Sequence, residues 1–229
     1  MSDNAASPRA SPEAAVKEPA SMRLPDETWV SIFRLLGYKT LLHVRRICKR
    51  FKDLLEVRHK PRAQLDFDDV FFRQAPPAKL EKKQKYKLHP MLNDVDCARV
   101  TPTEAEIMHY KEGSGDETFN GYDYPAAKEF ATAPACTSID IELNESKVGK
   151  VSNKRGVTVS QVLVACGKFW EKPIPDSVAN RVRRQGGWPR NEKITKLTTM
   201  GDHCFFEGWG QPTGLGEGKV RLASHWFGS

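Results

Sequence analysis

The chain has 229 residues, a formal net charge of +7, 39% hydrophobic residues and five scattered cysteines. This length predicts one or two folded domains, and no apolar run approaches the roughly twenty residues that span a bilayer. The N-terminus lacks the apolar core of a secretory signal, and the odd number of cysteines without a Cys-x-x-Cys pair argues against disulfides. We therefore expect an intracellular protein with reduced thiols, in the cytoplasm, the nucleus or both.

Residues 1–21 are dominated by alanine, serine and proline and contain few large apolar side chains. Such a segment cannot offset its ordering entropy by burial, so we predict a disordered tail. Ser7 and Ser11 each precede a proline, as in proline-directed phosphorylation sites. Such pairs are common in tails of this composition, so they do not establish regulation.

Helix signals are concentrated between residues 24 and 55. Pro25 suits a first helical turn, and Asp26 and Glu27 place negative charge at the positive end of that helix. Gly37 is positioned as its stop. Apolar residues at three- and four-residue steps form three groups: Trp29, Ile32, Phe33 and Leu36; Leu41, Leu42, Val44, Ile47 and Cys48; and Phe51, Leu54 and Leu55. Three short helices with exposed apolar surface for a partner are predicted, since so small a unit cannot bury a self-sufficient core.

The residue order Leu-Pro-x-Glu, Ile-Phe, Leu-Leu, Ile-Cys-Lys-x-Phe and Leu-Leu in this stretch resembles the F-box. The resemblance implies an F-box at residues 22–60 that docks on an acidic Skp-type adaptor. Carried over position by position, it implies eight adaptor contacts: Leu24, Pro25, Ile32, Leu41, Val44, Cys48, Lys49 and Phe51. Phe51 stands where the family most often has tryptophan. Leu36, Ile47 and Leu54 suit a helical core as well as an interface, and that choice stays open here.

Basic residues are concentrated in two places. One group surrounds the last predicted F-box helices, where an acidic adaptor would complement it: Arg45, Arg46, Lys49, Arg50, Lys52, Arg58, Lys60 and Arg62. The other lies within residues 61–87, a connecting segment with a lysine-rich linker: Lys79, Lys82, Lys83, Lys85 and Lys87. Ahead of that linker, residues 65–72 read LDFDDVFF, which predicts a short strand or a segment docked on the second domain.

Residues 88–229 predict an α+β domain. Thr101 and Pro102 indicate a short helix reaching Tyr110, and residues 112–124 are rich in turn formers. Strands are predicted at 138–143 and around Val148 and Val151, and two helices follow, one led by Ser160 and one ending at Gly186 and Gly187. Residues 203–206 and 219–223 suggest a terminal hairpin. The fold class is therefore α+β: a three-helix F-box followed by an antiparallel sheet with two packed helices.

The second domain also resembles a fungal domain of unknown function, found alone or behind an F-box. The resemblance covers residues 88–222 and is carried by the motifs at 89–92, 131–134, 156–163 and 201–208. These motifs are turns and apolar strands, so the resemblance implies a fold and no activity.

No constellation predicts catalysis, a cofactor or a metal site. His203 and Cys204 are adjacent, so on a strand they point to opposite faces and cannot act as a base and its nucleophile. We therefore expect a non-catalytic substrate-recognition subunit of a Skp/cullin/F-box-type ubiquitin ligase, which binds the Skp adaptor through the F-box and a target protein through the C-terminal domain. Two alternatives remain: an F-box protein acting with the adaptor outside a ligase, and a nucleic-acid-binding protein that uses the basic C-terminal helix. The second rests on basic residues beside an aromatic one, as in single-strand binders: Arg181, Arg183, Arg184 and Arg190 with Trp188.

Overall fold

The computed structural model describes residues 24–56, 67, 70–77, 84–111, 114–201, 205–225 and 227–228. The chain divides into two compact units, residues 1–65 and 66–229. The predicted tail, the basic residues at 58–62 and part of the lysine-rich linker lie outside the described residues. Within the part of the chain that is described, no helix is long and apolar enough to cross a membrane.

The first unit contains the three short helices that the sequence predicts: α1 (Asp26–Phe33), α2 (Tyr38–Ile47) and α3 (Lys49–Glu56). Asp26 and Glu27 occupy the first turn of α1, where their charge favours the helix. The stop is earlier than predicted: α1 ends at Phe33, and Gly37 is instead the residue that precedes the first turn of α2. Helix α3 packs against both α1 and α2.

The second unit is built around a four-stranded sheet with the order β6-β5-β9-β8. Its strands are β5 (Ser138–Leu143), β6 (Ser146–Ser152), β8 (Thr213–Gly216) and β9 (Lys219–Ala223). Strand β5 runs antiparallel to β6 and parallel to β9, with Ile139 opposite Val220 and Ile141 opposite Leu222. The predicted α+β class is confirmed, and the sheet contains one parallel pair.

Helix α5 (Val159–Trp170) covers this sheet and buries Val162, Leu163 and Cys166 against it. Its N-cap is Thr158 rather than the predicted Ser160: Thr158 Oγ1 accepts from the Gln161 backbone N–H and the Gln161 side chain accepts from the Thr158 N–H, a capping box. Helix α6 (Asp176–Gly186) ends as predicted, at Gly187, whose φ of 66° is readily adopted by glycine. The remaining elements are β1 (Lys87–Leu88), α4 (Met91–Asp94), β2 (Glu106–Lys111), β3 (Ser114–Asn120), β4 (Thr132–Ala133), β7 (Phe205–Phe206) and β10 (Phe227–Gly228).

Two local predictions are wrong. The helix expected up to Tyr110 and the loop expected at 112–124 are replaced by the antiparallel hairpin of β2 and β3. The expected terminal hairpin is also absent among the described residues, because β9 pairs with β5 and β8, whereas β7 pairs with β10. Strand β8 (Thr213–Gly216) lies between the two segments of the expected hairpin, where no strand was predicted.

Residues 70–77, which we call the docking segment, belong to the second unit. Phe71 and Phe72 are buried, and the Phe72 carbonyl accepts a 2.8 Å hydrogen bond from the Phe130 backbone N–H. Arg73 donates from Nη2 to Glu129 Oε1 at 2.8 Å. The expectation of a segment docked on the second domain is confirmed, and its backbone forms a turn rather than a strand.

Candidate partner-binding surface of the first unit

The core of the first unit is an aromatic cluster of Trp29, Phe33 and Phe51. The ring centroids of Trp29 and Phe51 are 4.6 Å apart, and those of Phe33 and Phe51 are 5.1 Å apart with nearly perpendicular planes. An edge-to-face pair such as Phe33 with Phe51 contributes about 1 kcal/mol beyond the burial of area. Phe51 therefore ties α3 to α1 from inside the unit.

Arg50 connects the start of α1 to α3. Its Nη2 donates to Asp26 Oδ1 at 2.7 Å and to the Leu24 carbonyl at 2.6 Å, and its Nε donates to the same carboxylate at 3.0 Å. Two donors on one carboxylate restrict the geometry of the pair. Leu24 and Pro25 are thereby held at a defined place beside α3, with their side chains exposed.

Among the described residues of this unit, four large apolar side chains remain exposed. Leu35 is 85% and Ile47 is 65% exposed, and Leu24 and Ile32 are each more than one third exposed. Side-chain exposure increases around helix α2. Leu41 is buried, Cys48 and Val44 are half-buried, and Ile47 is exposed. An element of this size that leaves several aliphatic side chains in water is typical of a docking surface. We call Leu24, Ile32, Leu35 and Ile47 the apolar face.

The eight predicted contact residues do not share one environment. Leu24, Pro25, Ile32 and Lys49 are exposed, Val44 and Cys48 are half-buried, and Leu41 and Phe51 are at most 5% exposed. Leu41 and Phe51 thus support the fold of the unit from within, and contact with a partner stays a prediction for all eight. Of the three residues left open, Leu54 is in the core and Ile47 is at the surface.

Leu35 is an exposed residue that the sequence patterns did not single out. Helical periodicity favoured its neighbour Leu36, because the pattern was extended to Gly37. The helix ends at Phe33, so Leu35 lies in the following turn and escapes the helical face. The signal in the sequence that could have identified Leu35 is a leucine close to a glycine that the helical apolar pattern does not explain.

Part of the predicted basic rim is neutralised within the unit. Arg45 pairs with Glu56 at 3.1 Å, and Arg50 pairs with Asp26. Arg46 and Lys49 are exposed and form no ion pair with another described residue. Among the described residues of the predicted basic group, Arg46 and Lys49 therefore keep exposed positive charge that would favour an acidic partner on approach.

Residues 22–58 match the family model of the F-box-like domain. The chain therefore contains an F-box-like domain. The matched range contains α1, α2, α3 and the whole apolar face, so the surface described above belongs to the F-box. No curated protein and no solved structure matched the chain. The resemblance of residues 88–222 to a fungal domain stays a prediction.

Proposed function

We propose that this protein is the substrate-recognition subunit of a Skp/cullin/F-box-type ubiquitin ligase. The observation that carries the proposal is the F-box-like domain at residues 22–58, a domain typical of adaptor subunits in such complexes. The F-box binds the Skp adaptor, and the second unit binds the target protein. Ubiquitin transfer takes place on other subunits of the complex.

The contribution of such a subunit is proximity. Holding a target next to a charged ubiquitin-conjugating enzyme converts a bimolecular encounter into a local one and raises the effective concentration of target lysines. Binding and orientation are sufficient for this role. The second unit accordingly has to supply a recognition surface rather than reacting groups.

The apolar face is the part of the F-box that gains most from a partner. Complete burial of one leucine or isoleucine side chain contributes about 1.5–3 kcal/mol. Leu35 and Ile47 are more than half exposed, so most of that contribution is still available to an adaptor. Lys49 and Arg46 add attraction toward an acidic adaptor rather than much affinity.

Co-purification of the Skp adaptor with the full chain tests the proposal. We expect the wild-type protein to retain the adaptor and the Leu24→Ala, Pro25→Ala double variant to lose it. A second variant, Leu35→Ala with Ile47→Ala, should lose it as well. His43→Ala changes an exposed polar residue of α2 and is the matched control that should retain it. Equal adaptor recovery from all four proteins, with folding verified, contradicts the docking proposal.

The composition of the purified complex separates the ligase from an F-box protein that acts with the adaptor alone. A cullin recovered together with the adaptor and this chain supports the ligase. Adaptor without cullin, from cells in which other F-box proteins recover the cullin, favours the second candidate.

A further inference from the structure

Helix α6 of the second unit carries an apolar stripe that is partly open to solvent, with Val178 exposed and Val182 half-buried. Val178, Val182 and Gly186 are four residues apart and share one side of the helix. Val178 is 38% exposed, and the indole of Trp188 lies against Gly186, where an added Cβ would overlap the ring. Trp188 is itself 45% exposed. The stripe thus continues from the helix onto a tryptophan that is packed on one side and open on the other.

Hydrogen bonds hold this surface in one arrangement. The Trp188 backbone N–H donates to the Arg183 carbonyl at 3.1 Å, and the Arg183 guanidinium donates from Nη2 to the Glu192 carbonyl at 2.7 Å. Further along, Ile194 is buried, and its carbonyl accepts from the Ile174 N–H at 3.4 Å. The segment after α6 is therefore fastened at both ends, which lowers the entropy cost of binding a ligand there.

The segment that carries the stripe has an excess of positive charge. Between residues 176 and 196 there are six basic residues and two acidic ones. Three of the six are engaged within the protein: Arg183 as described; Arg184, whose Nε donates to the Asn180 carbonyl at 3.3 Å; and Lys196, whose Nζ lies 3.9 Å from the centroid of the Phe169 ring. Three others are exposed and make no ion pair or side-chain hydrogen bond with a described residue: Arg181, Arg190 and Lys193.

We propose that the surface formed by Val178, Val182 and Trp188, together with the exposed cations Arg181 and Lys193 of the same segment, binds an acidic peptide segment that carries aliphatic or aromatic side chains. The inference rests on the proposed function, because the segment would belong to the target protein. Apolar side chains of the peptide pack on the stripe and on Trp188, and its carboxylates meet the unpaired cations. Charge complementarity selects this class of ligand over a basic or neutral segment.

A peptide suits this surface better than a nucleic acid. Sequence-independent single-strand binding relies on several aromatic side chains that stack on successive bases. Here the stripe consists of valines with one tryptophan, and the guanidinium of Arg183 is already bound to Asn180 and Glu192. Valine side chains offer hydrophobic contact to a peptide but no stacking platform for bases.

Fluorescence polarisation on the full chain, co-purified with the Skp adaptor, tests the proposal. The probe is a fluorescein-labelled synthetic peptide that alternates glutamate with leucine and phenylalanine. Companion peptides replace glutamate by lysine, or leucine and phenylalanine by serine, and a single-stranded RNA is titrated in parallel. We expect the acidic apolar peptide to bind most tightly and its affinity to fall with added salt.

The variants Trp188→Ala and Arg181→Glu should each weaken peptide binding about tenfold, since truncation of an interface tryptophan or reversal of a contacting charge has effects of at least that size. Lys147→Glu reverses an exposed charge on β6 and should leave the affinity unchanged. Equal binding of the acidic and basic peptides, unaltered affinity in both variants, or RNA binding tighter than that of the peptide would overturn the inference. If the adaptor co-purifies while the peptide fails to bind, only this inference fails; if the adaptor is lost, the proposed function fails.

Discussion

Replacing Glu129 by glutamine should loosen the docking segment from the second unit. Glu129 is 7% exposed and accepts from Arg73 Nη2 at 2.8 Å and Nε at 3.1 Å on one oxygen. Its other oxygen lies 3.0 Å from His89 Nε2. Because the Met91 N–H donates to His89 Nδ1, that nitrogen has no proton, and Nε2 carries the proton that is donated to Glu129. The carboxylate thus joins the docking segment to a buried histidine.

The expected cost follows from the burial of the partners. Breaking a buried ion pair by removing one charge costs about 3–5 kcal/mol. The Arg73 side chain is 21% exposed, so water partly compensates its charge, and the glutamine oxygen can still accept one hydrogen bond. We therefore expect Glu129→Gln to lower the free energy of unfolding by about 2 kcal/mol.

Urea unfolding followed by circular dichroism measures this loss, and tryptic cleavage after Arg73, detected by mass spectrometry, measures release of the segment. The matched control is Glu142→Gln, which removes the pair of Glu142 with Arg221, whose side chain is 54% exposed. Such a surface pair contributes less than about 1 kcal/mol. Equal stability losses in the two variants, with cleavage at Arg73 unchanged by Glu129→Gln, would refute the reasoning.

Three further predictions concern the cores of the two units. Gly167→Ala should destabilise the second unit by about 2 kcal/mol in urea unfolding, because the new Cβ would lie 2.7 Å from the Thr101 carbonyl oxygen. Alanine is the better helix former, so an increase in stability would show that the close approach is relieved and would contradict the prediction. Burial raises the pKa of the Cys136 thiol to about 11, so the folded state keeps its proton while the unfolded thiol ionises from pH 9 upward. The free energy of unfolding should therefore fall between pH 9 and 11, by up to about 1.4 kcal/mol per pH unit from this thiol. In urea unfolding with a reductant present, Cys136→Ala should show a shallower fall with pH than wild type. Parallel pH dependence in the two proteins would contradict the prediction. Phe51→Ala should cost about 3–5 kcal/mol in the first unit and Ile47→Ala less than about 0.5 kcal/mol, as measured by thermal unfolding, whereas similar losses would mean that Ile47 is packed in the core.

The first unit was predictable from sequence because its signals are local. The apolar spacing, the acidic first turn and the F-box resemblance lie within about thirty residues and lead to the same three helices. Burial was harder to assign. Leu41 and Ile47 both lie on the apolar side of α2 in the sequence pattern, yet one is fully buried and the other 65% exposed. Only the packing of α3 against the other two helices separates them.

For the second unit, the sequence predicts individual strands and helices but not which strands pair with one another. The strand at 138–143 and both long helices carry clear periodicity and capping signals. The parallel pair of β5 and β9 joins residues about eighty positions apart, and the ion pair of Arg73 and Glu129 joins residues 56 apart. Contacts at such separations leave no periodic trace in the sequence. The pairing of β2 with β3 is likewise not visible in the sequence. Without it, the apolar residues Ile107, Met108 and Tyr110 fit one side of a short helix that would begin after Thr101 and Pro102.

The central claim is that the apolar face of the F-box binds a Skp-type adaptor. Calorimetric titration of the purified adaptor into the full chain tests it most directly, with wild type compared with the Leu35→Ala, Ile47→Ala double variant. We expect tight binding to wild type and an affinity at least about tenfold weaker for the variant, because both side chains lose apolar area that the adaptor would bury. An unchanged dissociation constant for the folded variant, or no binding by wild type, would contradict the claim.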